Sequence, residues 1–208
     1  MKKERDYTQD IAEIRSMMER SSKFLSLSGW AGIMAGIYAL AGAWIASSFF
    51  QFNPDKIAYD ISLSGSLTGD LPGVIPLAIL ILILAIGTAV FLSYNKARRR
   101  GEKVWNSTSK RMIIHMAVPL GAGGIFILML LLNDLAGLLA PSSLLFYGLA
   151  LYNAGNFTYD EVKYLGLVQM VLGLTGCFFI EYGLLLWALG FGVVHIVYGI
   201  YMYLRYER

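Results

Sequence analysis

Residues 71–95 read LPGVIPLAILILILAIGTAVFLSYN, a run without a charged side chain that consists largely of isoleucine, leucine and alanine. The hydrocarbon core of a bilayer requires about 20 apolar residues in a helix, so this run is long enough to cross it. Only helices and closed barrels satisfy the backbone hydrogen bonds in lipid, and the run is too continuous for a barrel strand. Five further runs lack Asp, Glu, Lys and Arg, at 24–54, 112–133, 135–159, 164–180 and 182–204. The sequence therefore predicts an all-α, polytopic membrane bundle of six transmembrane helices.

The composition of the whole chain supports this class. Hydrophobic residues make up 57% of the 208 residues and charged residues only 15%, whereas a soluble domain of this length needs more charge on its surface. The single cysteine, Cys177, lies inside one of the predicted spans. A disulfide framework is therefore excluded.

The predicted membrane domain covers 24–204. Its spans are expected at about 24–50, 73–94, 112–132, 135–153, 159–179 and 183–204. Residues 1–23 precede it, with Ile11, Ile14, Met17 and Met18 at helical spacing, and predict a cytoplasmic amphipathic helix. Residues 205–208 are expected to form a short cytoplasmic tail.

Two local signals concern the ends of spans. Pro141 interrupts the fourth apolar run, so either one full span is kinked there or a short outer helix precedes a short span from about residue 142. The second alternative is favoured, because proline is well placed in the first turn of a helix. Thr158 and Glu161 have the spacing of a capping box that would open the fifth span.

Orientation follows from the lysines and arginines. With the N-terminus in the cytoplasm, the inner segments 1–23, 95–111, 154–163 and 205–208 contain sixteen of the seventeen basic residues, and only Lys56 lies outside. The positive-inside rule then predicts that both termini are cytoplasmic. Net charge +3 thus reflects topology and not nucleic-acid binding, and the basic loop 96–111 is expected to touch anionic lipid headgroups.

Few polar side chains lie inside the predicted spans, and such residues are functional candidates by default. They are His115, Asn153, Gln169 and His195, with Tyr198 beside the last. All of them fall in the cytoplasmic half of the predicted bundle. A pocket open to the cytoplasm would be lined by these five residues.

Small residues form strips that predict close helix packing. The glycines concerned are Gly32 and Gly36 in span one, Gly173 in span five, and Gly192 and Gly199 in span six. In spans five and six each strip is broken by one polar residue, Gln169 and His195, at similar depth. The favoured interpretation is that the two spans pack together and that a neutral His195 bonds to Gln169 or to neighbours at the level of Tyr198. A ligand-binding or proton-relay role for His195 is the alternative.

No motif for catalysis appears in the sequence. There is no serine nucleophile motif, phosphate loop, HExxH or carboxylate pair. His115 and His195 differ in expected depth by about 7 Å at the rise of a helix, and no third ligand accompanies them. We therefore expect no catalytic residue, no metal and no cofactor.

Three blocks of the sequence resemble a known family. RSSKFLSLSGWAGIMAGIYAL (20–40), FYGLALYNAGNFTYDEVKYLGL (146–167) and LLLWALGFGVVHIVYGIYM (184–202) are similar to a bacterial family of small six-helix integral membrane proteins without an assigned activity. The resemblance covers most of the chain. It implies a multi-pass protein of the bacterial cytoplasmic membrane and carries over no catalytic or binding residue.

Three functions are compatible with these observations. The leading hypothesis is a non-enzymatic membrane protein that acts as a regulatory or scaffold subunit, through a protein partner or a second copy that contacts residues 7–23 or the span-one strip. The second is a bundle that binds or transports a small molecule or lipid in a pocket around His195. The third is a redox or other membrane enzyme, which predicts a chromophore or metal that copurifies with the protein.

Overall fold

The computed structural model describes residues 23–50, 52, 71–99, 101 and 105–208. The predicted amphipathic helix over residues 1–23 lies outside these residues except for Lys23, as does nearly all of the outer loop 51–72.

The described residues form helices and turns, without a β-strand among them. The helices are α1 (Gly29–Ser48), α2 (Leu71–Arg99), α3 (Ser107–Leu132), α4 (Leu139–Ala154), α5 (Glu161–Phe178), α6 (Gly183–Trp187) and α7 (His195–Tyr206). Short 3-10 turns at Ala136–Leu138 and Ile180–Tyr182 precede α4 and α6. A π-helical segment, Ala188–Val194, joins α6 to α7 without a break. We call the continuous stretch 183–206 the C-terminal rod.

Four helices are long and apolar enough to cross a membrane. These are α1, α2 from Gly73, α3, and the C-terminal rod with the turn before it. None of the most apolar window of α2 is buried within the protein, so its Ile and Leu side chains fit a lipid environment. The described residues are thus helical without strands, and four of their helices fit a membrane by length and composition. The other two predicted spans correspond to α4 and α5, which have 16 and 18 residues.

The C-terminal rod occupies the middle of the bundle. Helix α1 packs along one side of it, and α4 and α5, which pair closely with each other, lie on the other side. Helix α2 packs mainly on α1, and α3 packs mainly on α4. The first helix is therefore a neighbour of the last, although about 150 residues separate them in the chain.

Glycines bring α1 and the rod into backbone contact. A β-carbon on Gly36 would lie 2.6 Å from the carbonyl oxygen of Gly192, and one on Gly32 would lie 3.2 Å from the Cα of Gly199. The first distance is shorter than real β-carbons make and the second is unusually tight, so the small residues of the two strips are a condition of this packing.

The pairing of these strips differs from the expectation. A β-carbon on Gly173 would lie 2.7 Å from the backbone nitrogen of Leu145, so the strip of α5 faces α4. The strip of the rod, with Gly192 and Gly199, faces α1. The strips of α5 and the rod were predicted to face each other, but each packs on a different helix.

Three local features also differ from the prediction or refine it. Helix α1 begins at Gly29, and residues 24–28 before it are not helical. Pro141 lies in the first turn of α4, where its missing N–H costs no hydrogen bond, and a single 3-10 turn stands where a short outer helix was favoured. The capping box at Thr158 is wrong, because this hydroxyl donates to the carbonyl of Phe24 instead, over 2.6 Å.

Replacing Gly199 with alanine tests the contact between α1 and the rod. The new methyl group would lie 2.6 Å from the carbonyl oxygen of Gly29 and 2.6 Å from the backbone nitrogen of Ile33, and backbone cannot rotate away. We expect the free energy of unfolding in detergent to fall by about 1–3 kcal/mol, the usual cost of overpacking.

Gly124→Ala in α3 is the matched control, since a β-carbon there meets nothing within 4 Å. It should leave stability unchanged or raise it slightly through helix propensity. Equal stability of the two variants would contradict the described packing.

Candidate functional site

The candidate site surrounds the carbonyl of Gly190 in the π-helical segment. This carbonyl accepts a hydrogen bond from Gln169 Nε2 of α5 over 2.8 Å and another from His195 Nδ1 over 2.9 Å. A β-carbon on Gly190 would lie 2.6 Å from Gln169 Oε1, so only glycine lets the glutamine approach the rod. Single π-helical turns within α-helices occur frequently at functional sites, because they displace groups from the regular ladder.

The hydrogen bonds assign the tautomer of His195. Nδ1 faces a carbonyl, which only accepts, so Nδ1 carries the proton. Nε2 is then an acceptor and receives the hydroxyl proton of Tyr147, 3.0 Å away on α4. Gln169 Nε2 lies 3.3 Å from His195 Nδ1, and the two nitrogens are donors that share the Gly190 oxygen. The imidazole is neutral, and both of its nitrogens are engaged.

The site is almost closed to solvent. Gln169 is 0% exposed and His195 is 4% exposed. Among the described residues, two buried side-chain atoms near this level have no hydrogen-bond partner, Gln169 Oε1 and the hydroxyl of Tyr198. A buried polar atom without a partner costs about 1–3 kcal/mol, so these two atoms are the unsatisfied part of the cluster.

Aromatic rings enclose the imidazole. Phe191 stacks on His195 with 5.8 Å between ring centroids. Trp187 lies one turn before Phe191 in the rod, and the centroids of these two rings are 5.1 Å apart. Tyr147 contacts both Phe191 and His195, at 5.0 and 5.5 Å. Because these rings fill the volume beside the histidine, they hold its orientation.

The structure unites two of the five predicted site residues. Gln169 and His195 meet at Gly190, and Tyr198 follows His195 by one turn without bonding to it. His115 is exposed, and its ring lies 4.8 Å from that of Phe157. Asn153 donates to the carbonyl of Leu149 in its own helix, over 3.1 Å. The predicted set does not line one pocket.

Tyr147 is the site residue that the sequence analysis missed. The chain contains 13 tyrosines, so residue type alone did not single it out. Its depth would have helped, because at 1.5 Å per residue Tyr147 lies about 10 Å from the C-terminal end of α4 and Gln169 lies about 12 Å from the N-terminal end of α5.

The described residues also bear on metal binding. Among them, no group of three His, Cys, Asp or Glu side chains is close enough together to hold a metal ion. The expectation that the protein has no cofactor stays a prediction.

A second polar cluster, which we call the clamp, lies at the other end of α7. The Glu207 carboxylate accepts the backbone N–H of Gly29 over 2.7 Å and binds Lys96 Nζ over 2.9 Å. Lys96 also donates to the carbonyl of Leu27, and Ser28 Oγ lies 3.4 Å from Glu207. One carboxylate therefore caps the N-terminus of α1, where no side chain of α1 itself does so, and joins it to the end of α2.

The residues before α1 are held against the start of α5. The backbone N–H of Phe24 donates to the carbonyl of Phe157 over 2.7 Å, and the Tyr159 hydroxyl donates to the carbonyl of Leu25 over 2.7 Å. Lys23 pairs with Asp160 at 3.4 Å. Burial alone would raise the pKa of Asp160, but Lys23 and Lys163 hold this pKa below its ordinary value.

No protein-family model, curated protein or solved structure matches the chain significantly. The resemblance to a family of small six-helix membrane proteins therefore stays a prediction, and function has to be argued from the residues of this chain.

Removing the carboxylate of the clamp tests its role. In Glu207→Ala, Lys96 and the N–H of Gly29 each lose the carboxylate that they bind, while the lysine, 11% exposed, stays largely out of water. We expect a loss of about 2 kcal/mol in the free energy of unfolding, because the opposite charge beside a largely buried ammonium is removed.

The double variant Lys96→Met/Glu207→Ala should regain part of this loss, since the largely buried ammonium is then removed together with the carboxylate. Glu181→Ala changes an exposed acidic residue and should be neutral. If Glu207→Ala behaved like Glu181→Ala, the clamp would not contribute to stability.

Proposed function

We propose that the chain is a six-span protein of the cell (cytoplasmic or inner) membrane, with both termini cytoplasmic, and that it acts as a non-enzymatic regulatory or scaffold subunit. The observation that carries this proposal is the occupation of both nitrogens of His195 by Gly190 and Tyr147. Both bonds end on groups within the bundle, and His195 is only 4% exposed, so neither nitrogen is open to solvent or to a ligand from outside. Here the imidazole joins α4 to the rod, and the Gly190 carbonyl that it binds also accepts a hydrogen bond from α5.

The surface of α5 supports its assignment as a span. Leu167, Val171 and Leu174 of α5 are exposed large hydrophobic residues, which suit contact with acyl chains. Both ends of the bundle carry exposed aromatic residues, such as Trp30 and Trp44 at opposite ends of α1. Tryptophan favours the two membrane interfaces, so these positions fit the ends of a span.

The orientation rests on the distribution of basic residues. Sixteen of the seventeen lysines and arginines fall on the side of the two termini. This asymmetry favours a cytoplasmic N-terminus, and the resemblance to bacterial membrane proteins favours the cytoplasmic membrane.

A scaffold subunit requires a surface for a protein partner or for a second copy. Of the two surfaces expected from the sequence, the span-one strip is occupied, because Gly32 and Gly36 lie against the rod. Residues 7–23 are then the remaining surface that the sequence suggests for a partner or a second copy. They are amphipathic, and Lys23 at their end is fixed to Asp160 of the bundle.

One observation favours the alternative, a bundle that binds a small molecule or a lipid. The buried Gln169 Oε1 and Tyr198 hydroxyl have no partner among the described residues. A ligand with one donor and one acceptor would satisfy them. This pocket would involve His195 but neither His115 nor Asn153, which lie elsewhere.

A double-mutant cycle separates the two functions. If His195 has a structural role, Tyr147→Phe and His195→Leu should each lower the free energy of unfolding by about 1 kcal/mol. The coupling energy between the two substitutions should also be about 1 kcal/mol, which is the range of hydrogen bonds inside membranes. Tyr152→Phe, at an exposed tyrosine of the same helix, is the control and should be neutral.

The ligand-binding alternative predicts another result. Native mass spectrometry of the wild type would then detect a bound small molecule that the Tyr147 and His195 variants lose at unchanged stability. That outcome would contradict the structural role of His195 and, with it, the scaffold proposal.

Cysteine labelling tests the topology. In a Cys177→Ser background, we expect Glu181→Cys to react with a membrane-impermeant maleimide in intact cells. Asn156→Cys should react only after the membrane is permeabilised. Both positions are exposed turn residues at opposite ends of α5. The reverse pattern, or equal labelling of both, would contradict the six-span, N-in arrangement.

A further inference from the structure

Exposed basic residues lie at the C-terminal end of α2 and at the N-terminal end of α3, the next helix in the chain. Arg98 and Arg99 end α2, and Lys110 and Arg111 belong to the first turns of α3. All four side chains are exposed. Eight residue steps separate Arg99 from Ser107, so the two helix ends lie less than about 30 Å apart. We call these four residues the basic rim.

The basic rim has no acidic counterpart within the described part of the chain. The ion pairs there engage other cations: Lys23, Lys96, Lys163 and Arg205. Lys110 instead lies over the ring of Trp105, with 5.5 Å from its Nζ to the ring centroid. The charge of the rim is therefore available to an anion from outside the bundle.

The neighbouring side chains define the height of the rim relative to a bilayer. On α2 the exposed Val90 and Phe91 lie two turns before it, and on α3 the exposed Ile113 and Ile114 follow it directly. Trp105, 65% exposed, lies at the same level. Apolar faces that end in tryptophan and then in basic residues are typical of the boundary between acyl chains and headgroups.

We propose that the basic rim binds headgroups of anionic phospholipids in the inner leaflet, with the ring of Trp105 at the boundary below it. This inference rests on the membrane embedding and orientation proposed above. The guanidinium groups of Arg98, Arg99 and Arg111 bind phosphate oxygens in bidentate fashion, and Lys110 adds a point charge. A zwitterionic headgroup offers the same phosphate together with a cation that the rim repels, so the rim discriminates by net charge. The exposed Trp105 and apolar flanks favour lipid over an acidic soluble protein, which has no acyl chains for them to contact.

Fluorescence quenching of Trp105 in nanodiscs tests the proposal. The probes are phosphatidylglycerol and phosphatidylcholine, each brominated near the carboxyl end of the acyl chain and used at equal, low mole fraction. The signal of Trp105 is obtained as the difference between the wild type and Trp105→Phe, since three other tryptophans contribute. We expect an apparent enrichment of the anionic lipid of about fivefold, the factor that corresponds to about 1 kcal/mol for one basic residue at a membrane surface. The enrichment should vanish in about 1 M salt, where the screening length is only about 3 Å.

The variant Arg98→Gln/Arg99→Gln/Lys110→Gln/Arg111→Gln should quench equally with both lipids. Lys163→Gln/Arg205→Gln is the control on the same face, because both of its cations are already paired within the protein. It should keep the enrichment, and melting temperatures verify that both variants are folded. Equal quenching by the two lipids in the wild type, or an enrichment that survives in the fourfold variant, would overturn the proposal.

The cysteine labelling described above distinguishes this failure from a failure of the proposed function. An N-in topology combined with equal quenching would reject only the lipid site. A reversed topology would reject the orientation on which the site depends.

Discussion

The described bundle depends on the close approach of α1 to the C-terminal rod. Water is absent from the acyl-chain region, so apolar burial gives little drive for helices to associate there, and tight van der Waals contact has to supply it. Gly29, Gly32 and Gly36 provide that contact from α1, and Gly192 and Gly199 provide it from the rod. Helix α2 is placed by α1 in turn, through packing and through the hydrogen bond between Tyr38 and Thr88, at 3.2 Å. The other half of the bundle packs on the rod around the buried Met202 and is hydrogen-bonded to it at the carbonyl of Gly190.

That carbonyl explains why a costly polar cluster is present in the interior. A π-helical turn shifts the register of the rod, so that Gly190 faces α5 while Gly192 still faces α1. Gln169 and His195 supply two donors to the same oxygen, and Tyr147 completes the set from α4. Three elements are thereby fixed relative to one another by groups that would each be expensive if left alone. The cluster specifies one arrangement among several that glycine strips by themselves would allow.

Charge-free runs and positive-inside asymmetry predict helices, their approximate bounds and an orientation, because lipid imposes these features on any sequence that crosses it. Depth along a span also predicted that Gln169 and His195 would meet. Which helices pack against each other could not be predicted in the same way. Small residues indicate that a neighbour comes close, but not which neighbour, so the strips of α5 and the rod were matched with each other although they face α4 and α1. Tyr147 and Glu207 were missed for a related reason: a tyrosine in a span and an acidic residue in a tail are ordinary until the fold gives them partners.

The neighbourhood of α1 and α7 has a consequence for biosynthesis. Ribosomes complete about 5–20 residues per second, and about 150 residues separate the two helices, so α1 precedes its partner by roughly 10–30 s. During that interval its glycine face has no rod to contact, and the N–H of Gly29 has no Glu207 to accept it. Until the rod has been made, α1 therefore contacts α2 or the insertion machinery instead of its final partner. The packing of α7 against α1 is thus a late step of folding that joins distant parts of the chain.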